Sequence, residues 1–328
     1  MSTYGKDTTA EEVLAGVDLS GRRVVITGAA GGLGRETARV MAARGASVTV
    51  LARSPQRAAG AVAELRELVP RGQFDSGVVD LVDLSSVRAF TDAFLANHDR
   101  IDVLINNAGV MACPFVHTVN GFETQFGTNH LGHFLLTARL APALLRGEAP
   151  RVVTLSSAGH SRSDVDLVDP HFTTTPYNAW IAYGRSKTAN ALFARELARR
   201  AGPAGLLSFS VHPGAIVTEL GRHLTEELLM DVITDTRRRA EAAAKTEGRT
   251  EVEELQFKSV EAGAATQVWA ATAAELVDHN GAYLADCGLG VLGANPSVNG
   301  FRPYLLDDQH AAALWTLSEE LVGEPFAI

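Results

Sequence analysis

The stretch WIAYGRSKTAN, residues 180–190, sets Tyr183 four residues before Lys187. In a helix such positions share a face one turn apart, so the ammonium would stand beside the phenol. A tyrosine hydroxyl titrates near pH ~10; to move a proton near neutrality its pKa must fall by about 3 units, roughly 4 kcal/mol of differential stabilisation. A cation at ~4 Å in an effective dielectric of ~20 supplies about that amount. The pair is either a general acid/base or ordinary helix decoration, and the surrounding elements decide which.

A second chemical pattern is VVITGAAGGLGRETA, which sets Gly28, Gly32, Leu33 and Gly34 directly after an apolar, strand-like run and at the mouth of a helical one. Glycines there allow a tight turn and close backbone approach to a pyrophosphate, while a helix N-terminus offers unpaired N–H donors and a favourable dipole. The spacing is GxxxGxG, and a glycine cluster by itself fits a flexible strand–helix turn equally well. Nineteen residues past Gly34 stands Arg53, with no acid between 48 and 57 and with Arg57 as a second cation. NAD enzymes carry an acid near that point for the ribose 2′-hydroxyl, whereas arginine suits the 2′-phosphate of NADP. The sequence therefore favours NADP(H) over NAD(H), the competing reading being that Arg53 is a surface residue.

The elements that must position these groups are legible as apolar runs: RVVIT (23–27), SVTVLA (47–52), GVVDL (77–81), IDVLIN (101–106), RVVTLSS (151–157), LLSFSVH (206–212) and GAYLA (281–285). Continuous apolar strands alternating with helices indicate a parallel sheet covered on both faces. LGRETARVMAARG (33–45) groups Leu33, Thr37, Val40 and Met41 on one helical face and stops at Gly45. Residues 158–182 read as a loop, with mixed polarity and two prolines. Residues 222–258 are highly charged, and the pairs Arg237/Glu241 and Glu241/Lys245 support a solvated helix. Both stretches follow strands at the carboxyl edge of the sheet, where open α/β folds bind ligands.

Composition narrows the function classes. With 46% hydrophobic and 20% charged residues, 328 residues can build a large core as one domain spanning 1–328. The net charge of −9 and the absence of a continuous cationic stripe argue against nucleic acid. Cys113 and Cys287 are far apart and outside any ligand spacing, and His130 and His133 lack a neighbouring acid pattern, so no metal site is expected. Nowhere do about 18 uncharged apolar residues run together, so no membrane span is expected and the chain reads as cytoplasmic.

TGAAGGLG, NNAG (106–109) and YGRSK resemble the TGxxxGxG, NNAG and YxxxK motifs of the short-chain dehydrogenase/reductase family. NNAGVMACP, NHLGHFLLT and HPGAIVTEL resemble its retinol dehydrogenase-like and WW-domain oxidoreductase-like branch, and the similarity runs from about residue 8 to 322. The resemblance implies a Rossmann-type doubly wound, seven-stranded, mostly parallel sheet with helices on both faces, and a substrate-loop insertion at about 222–258. It implies a catalytic tetrad of Asn129, Ser157, Tyr183 and Lys187. It implies further that Asp80 and Leu81 flank the adenine, that Asn107, Ala108 and Gly109 line the ribose, and that Pro213, Gly214 and Thr218 hold the nicotinamide carboxamide. Ser157 and Tyr183 lie 26 residues apart, about twice the interval of the family's compact members, so the intervening loop must bulge out and return. The family frequently forms homodimers or homotetramers, and the resemblance leaves the choice open.

Hydride transfer belongs to the nicotinamide, and the protein must move a proton and stabilise charge on the substrate oxygen. On the implied roles Ser157 hydrogen-bonds that oxygen, Tyr183 carries the proton, Lys187 lowers its pKa and holds the ribose, and Asn129 anchors a water relay. The expected reaction interconverts a small hydrophobic alcohol and its ketone or aldehyde. Reduction of a conjugated carbon–carbon double bond and dinucleotide binding without turnover are the alternatives. Phe115, Phe172, Tyr177, Trp180, Leu220 and Leu224 lie in segments expected around the substrate.

Overall fold

The computed structural model describes residues 4–246 and 256–328. Its central sheet has eight strands: β1 (Arg23–Thr27), β2 (Ser47–Ala52), β3 (Gln73–Val78), β4 (Val103–Asn106), β5 (Arg151–Leu155), β6 (Leu207–His212), β7 (Tyr283–Ala285) and β8 (Gly288–Leu289). Their spatial order is β8-β7-β6-β5-β4-β1-β2-β3. Strands β1 to β7 are parallel and only β8 runs antiparallel. The order reverses between β1 and β4, which opens a crevice at their carboxyl ends. Val24 and Ile26 enter one core layer while Val25 enters the other, as alternation along a strand requires, and helices cover both faces.

Seven strands were expected, and the eighth comes from a hairpin. Asp286 and Cys287 both adopt positive φ, +51° and +54°, and turn the chain so that Gly288 and Leu289 pair back on Ala285 and Leu284. Two successive left-handed residues make the turn whose twist suits a two-residue hairpin, usually signalled by Asn-Gly. An Asp-Cys pair gives no such signal. β3 also starts and ends earlier than the expected 77–81: it is an edge strand whose burial is confined largely to Phe74, so its polar first half carries no apolar run.

Three further segments shape the crevice. The expected loop 158–182 is shorter, because Ala158–Arg162 forms a 3-10 turn and the helix Ala179–Ala201 already begins at Ala179, capped by the Asn178 carboxamide. Within that loop Asp169 accepts hydrogen bonds from the backbone and hydroxyl groups of Thr173, Thr174 and Thr175. Of the expected insertion at 222–258, Glu226–Thr246 is a helix and Phe257–Lys258 pairs with Ala215–Ile216; residues 247–255 lie outside the described residues. No helix among the described residues is long and apolar enough to cross a membrane.

The Ala179–Ala201 helix is buried almost all round, so packing rather than an exposed amphipathic face fixes its rotation. Its far half is held by Phe193, stacked on Trp315 at 5.8 Å, with Phe134 edge-on to both and Phe326 stacked on Trp315 at 4.5 Å. Arg200 covers the other part of the indole at 4.7 Å. Replacing Trp315 with Ala should therefore cost about 3–5 kcal/mol in urea unfolding. A loss below about 1 kcal/mol would show that this cluster does not fix the helix.

Candidate active site

Two glycines show why the first turn is built as it is. Gly28 has φ +66°, and a Cβ there would lie 2.9 Å from the Ala108 Cα. A Cβ on Gly34 would lie 2.6 Å from both the Asn107 Nδ2 and the Gly28 carbonyl. Only bare backbone fits between the β1 and β4 loops, and no side chain caps the helix Gly32–Ala43 at Gly31, so its first N–H groups face the crevice. This cradle suits the pyrophosphate of a dinucleotide. Leu33 belongs to the other side of the turn, packing toward Gly263 and Ile216.

The loop after β4 is tied down by a hydroxyl. Thr27 Oγ1 accepts the N–H groups of Asn107 and Ala108, each at 2.9 Å, and lies 2.8 Å from His133 Nε2. His133 Nδ1 is 2.9 Å from the Asn129 carbonyl. A carbonyl only accepts, so Nδ1 carries the hydrogen, Nε2 is the acceptor, and the Thr27 hydroxyl donates to it. Every valence of that hydroxyl is used. Asn129 lies in a short π-helical segment, Gly127–Leu131. Its carboxamide is held at both ends: Oδ1 accepts from the Val110 N–H at 2.8 Å, and Nδ2 donates to the Val110 carbonyl and Ser186 Oγ, both at 2.9 Å. These links bring Asn129, Gly109 and Lys187 together: the point where a side chain on Gly109 would begin is 3.2 Å from Asn129 Oδ1 and 3.7 Å from Lys187 Nζ. Thr27 and His133, 106 residues apart, carry no local spacing by which sequence reading could have linked them.

Tyr183, Ser157 and Lys187 converge at the carboxyl end of β5. Ser157 caps the turn Ala158–Arg162, accepting from the Gly159 N–H at 3.1 Å, and its Oγ and the Tyr183 ring both lie beside Gly159. Ser156 points the other way, donating to the Lys187 carbonyl at 2.8 Å. Lys187 Nζ donates to the Leu155 carbonyl at 2.9 Å and stands 5.7 Å from the centre of the Tyr183 ring. Burial dominates both titrations. It pushes the Tyr183 phenol up to about 12, against a smaller opposing pull from Ser157, and pushes the Lys187 ammonium down to about 7. In the protein alone, desolvation outweighs the attraction expected between the pair.

The cover over these groups is apolar. Leu224, Leu228 and Val232, the last two on the Glu226–Thr246 helix, pack against Met111, Ala112, Trp180 and Tyr183. That helix is not merely solvated: its outer face carries the Arg237–Glu241 pair at 3.0 Å, while its inner face closes the site. Asp235 ties it to Arg162 at 3.0 Å, Arg239 ties it to Ser161, and Arg162 lies over the Trp180 ring at 4.9 Å. Leu220 reaches to 3.8 Å from a Cβ on Gly109. Tyr177 instead stacks on Phe115 and meets Phe172 edge-on, its hydroxyl donating to the Cys113 carbonyl at 2.8 Å.

At the carboxyl end of β2, Arg53 is exposed immediately past the strand, and Arg57 lies in the first turn of the helix Pro55–Leu68. Asp80, just past β3, accepts from the Val82 N–H at 3.2 Å, whereas Leu81 is buried against Gly132. Pro213 and Gly214 follow β6, and a Cβ on Gly214 would meet Lys258. Thr218 lies across the glycine turn, its Cγ2 3.4 Å from where a Cβ on Gly32 would be. Among the described residues no group of three or more His, Cys, Asp or Glu side chains is placed to hold a metal ion.

Residues 22–229 match the family described as short chain dehydrogenase. Retinol dehydrogenase 12 of Mus musculus is 37% identical over 307 residues, covering 94% of this chain and 88% of that protein. A crystal structure of an uncharacterized protein from Mycobacterium paratuberculosis, 34% identical, superposes with a TM-score of 0.73 over 98% of this chain and 100% of that one. The fold also matches a gluconate 5-dehydrogenase from Burkholderia cenocepacia J2315 in complex with NADP and tartrate, 22% identical, with a TM-score of 0.61 over 82% of this chain and 94% of that one.

Four buried imidazoles surround the crevice and its supporting helices. Desolvation is the largest cause in each, holding His130 and His212 near 3 and His133 and His160 near 4. Unfolded histidines take up protons near pH ~6.5. Between pH 6.5 and these depressed values the unfolded chain binds more protons, so stability is fully present above that window and is lost as pH falls, by about 1.4 kcal/mol per imidazole per pH unit. The thermal unfolding midpoint should therefore drop steadily from pH 6.5 to 5, above the range where carboxylates titrate. A flat profile there would mean that these imidazoles are not neutral and buried.

Proposed function

The chain belongs to the short-chain dehydrogenase family of alcohol/carbonyl oxidoreductases, and we propose that it interconverts a hydrophobic alcohol and its ketone or aldehyde with NADP(H), Tyr183 carrying the proton. The observation that carries this reading is the convergence of Tyr183, Ser157 and Lys187 beside a cradle that admits only glycine backbone. When bound, the nicotinamide supplies or accepts the hydride. The rest is the work of this chain's residues. In the direction of reduction, the Ser157 hydroxyl steadies the substrate oxygen as negative charge develops, and the Tyr183 Oη donates its proton to that oxygen.

Burial keeps the phenol protonated, which suits a donor. In the direction of oxidation the same oxygen must accept a proton, and for that Lys187 must be charged at the moment of transfer. Asn129 fixes the loop against which Lys187 lies, through its carboxamide bonds to Val110 and Ser186. The covering side chains Leu224, Leu228, Val232, Met111 and Trp180 support an apolar substrate, because a polar one would leave its groups unpaired there.

Tyr183→Phe should keep the fold and the dinucleotide affinity while kcat falls at least ~100-fold, assayed with ketones, aldehydes and enones and with product identification. Retention of more than about a tenth of the activity would remove Tyr183 from the proton-carrying role. A product reduced only at a carbon–carbon double bond would replace the carbonyl reading.

Cofactor preference rests on Arg53. A guanidinium meets a phosphate with two charge-assisted hydrogen bonds, worth roughly 1.5–3 kcal/mol, about 10- to 150-fold in affinity. Arg53→Ala should therefore weaken NADPH by at least about tenfold and leave NADH little changed, as read by binding titration. Equal losses with both, or an NADH preference in the unsubstituted protein, would overturn the NADP(H) assignment.

A further inference from the structure

Glu219 stands one residue past Thr218, on the segment that crosses the glycine turn, and its Oε2 lies 2.7 Å from Arg57 Nη2. The two residues are 162 apart in sequence. The segment therefore runs from Gly32, under Thr218, to the first turn of the helix Pro55–Leu68, bridging the crevice on its adenosine side. The Glu219 carboxyl is held below its usual range, first by the hydrogen bond from Arg57 and more weakly by Arg222 and Arg53. Both arginines that sequence spacing assigns to the 2′-phosphate are thus within electrostatic reach of one carboxylate.

We propose that Glu219 is an internal anion that competes with the dinucleotide 2′-phosphate for Arg57 and so limits how strongly the protein prefers the phosphorylated cofactor. The inference rests on the NADP(H) reading above. A carboxylate brings one negative charge, whereas a phosphate monoester brings roughly 1.5 to 2 near neutral pH, so the phosphate can displace it. The bridge is weak enough to yield: its side chains are 41% and 75% exposed, and exposed pairs of this kind contribute little. A dinucleotide without the phosphate has no claim on Arg57 and leaves the bridge intact. The observed preference is then the attraction of Arg53 and Arg57 less the competition from Glu219.

The test is direct titration of NADPH and NADH into the full-length protein, followed by the fluorescence of the reduced nicotinamide, for the unsubstituted chain, Glu219→Gln, Arg57→Ala and the double variant. Glu219→Gln should tighten NADPH by about two- to fivefold with NADH unchanged, and the gain should shrink at high salt. On the Arg57→Ala background the same substitution should give no gain. A change below about twofold, an equal change with NADH, or an undiminished gain without Arg57 each overturns the competition. The Arg53→Ala arm keeps the two claims apart. If it harms both cofactors equally while Glu219→Gln still favours NADPH, Arg53 is not the phosphate ligand and the competition at Arg57 stands. The reverse pattern removes the competition alone.

Discussion

The arrangement hinges on the saturation of one buried hydroxyl. Thr27 ends β1, and its side chain accepts two backbone N–H groups from the loop after β4 while donating to His133 on the neighbouring helix. Hydroxyls have one donor and two acceptor sites, so this atom defines three directions at once. Two loops and a helix are thereby set to within a hydrogen-bond length of one another. A buried N–H or carbonyl left without its partner costs about 1–3 kcal/mol, which is why such a node is rigid. The closeness of Gly28 to Ala108, and of Gly34 to Asn107, follows from that spacing.

Burial is the second organising force, and it works against charge at the site. The same apolar cover that would suit a hydrophobic substrate strips water from Tyr183 and Lys187, holding the phenol protonated and drawing the ammonium toward neutrality. A lysine one turn from a tyrosine is therefore not by itself an activated pair. Its effect depends on which other charges share the crevice, because in a poorly solvated site each added charge acts at low effective dielectric.

What the sequence disclosed tracks the range of the interactions involved. β1 and β2 were legible to the residue because RVVIT and SVTVLA are buried through nearly their whole length. β3 was displaced because an edge strand buries one ring, Phe74, and its apolar signal falls at its exit. β8 was missed because Asp286 and Cys287 adopt a backbone normally advertised by Asn and Gly. The glycine turn and the tyrosine–lysine pair were legible because each is a local spacing on one element. The Arg57–Glu219 bridge, the Thr27–His133 bond and the Asp235–Arg162 contact were not, since each joins residues whose proximity exists only after the sheet has ordered them. For the same reason residues 115, 172 and 177 could be placed in segments around the substrate but not as a cluster that packs on itself.

Tyr183 is only 3% and Lys187 4% exposed, and the helix Glu226–Thr246 packs over the Tyr183 side through Leu228 and Val232. Where that cover must move to admit a substrate, the rate of its movement is a ceiling on turnover. Motions of packed helices fall in the range of microseconds to milliseconds, comfortably faster than ordinary catalytic cycles unless something holds the helix shut. Here, among the described residues, the polar restraints join the helix to the turn Ala158–Arg162 at two points, Asp235 on Arg162 and Arg239 on Ser161. The combined strength of those two contacts therefore bears on whether the cycle is paced by bond-making or by a door.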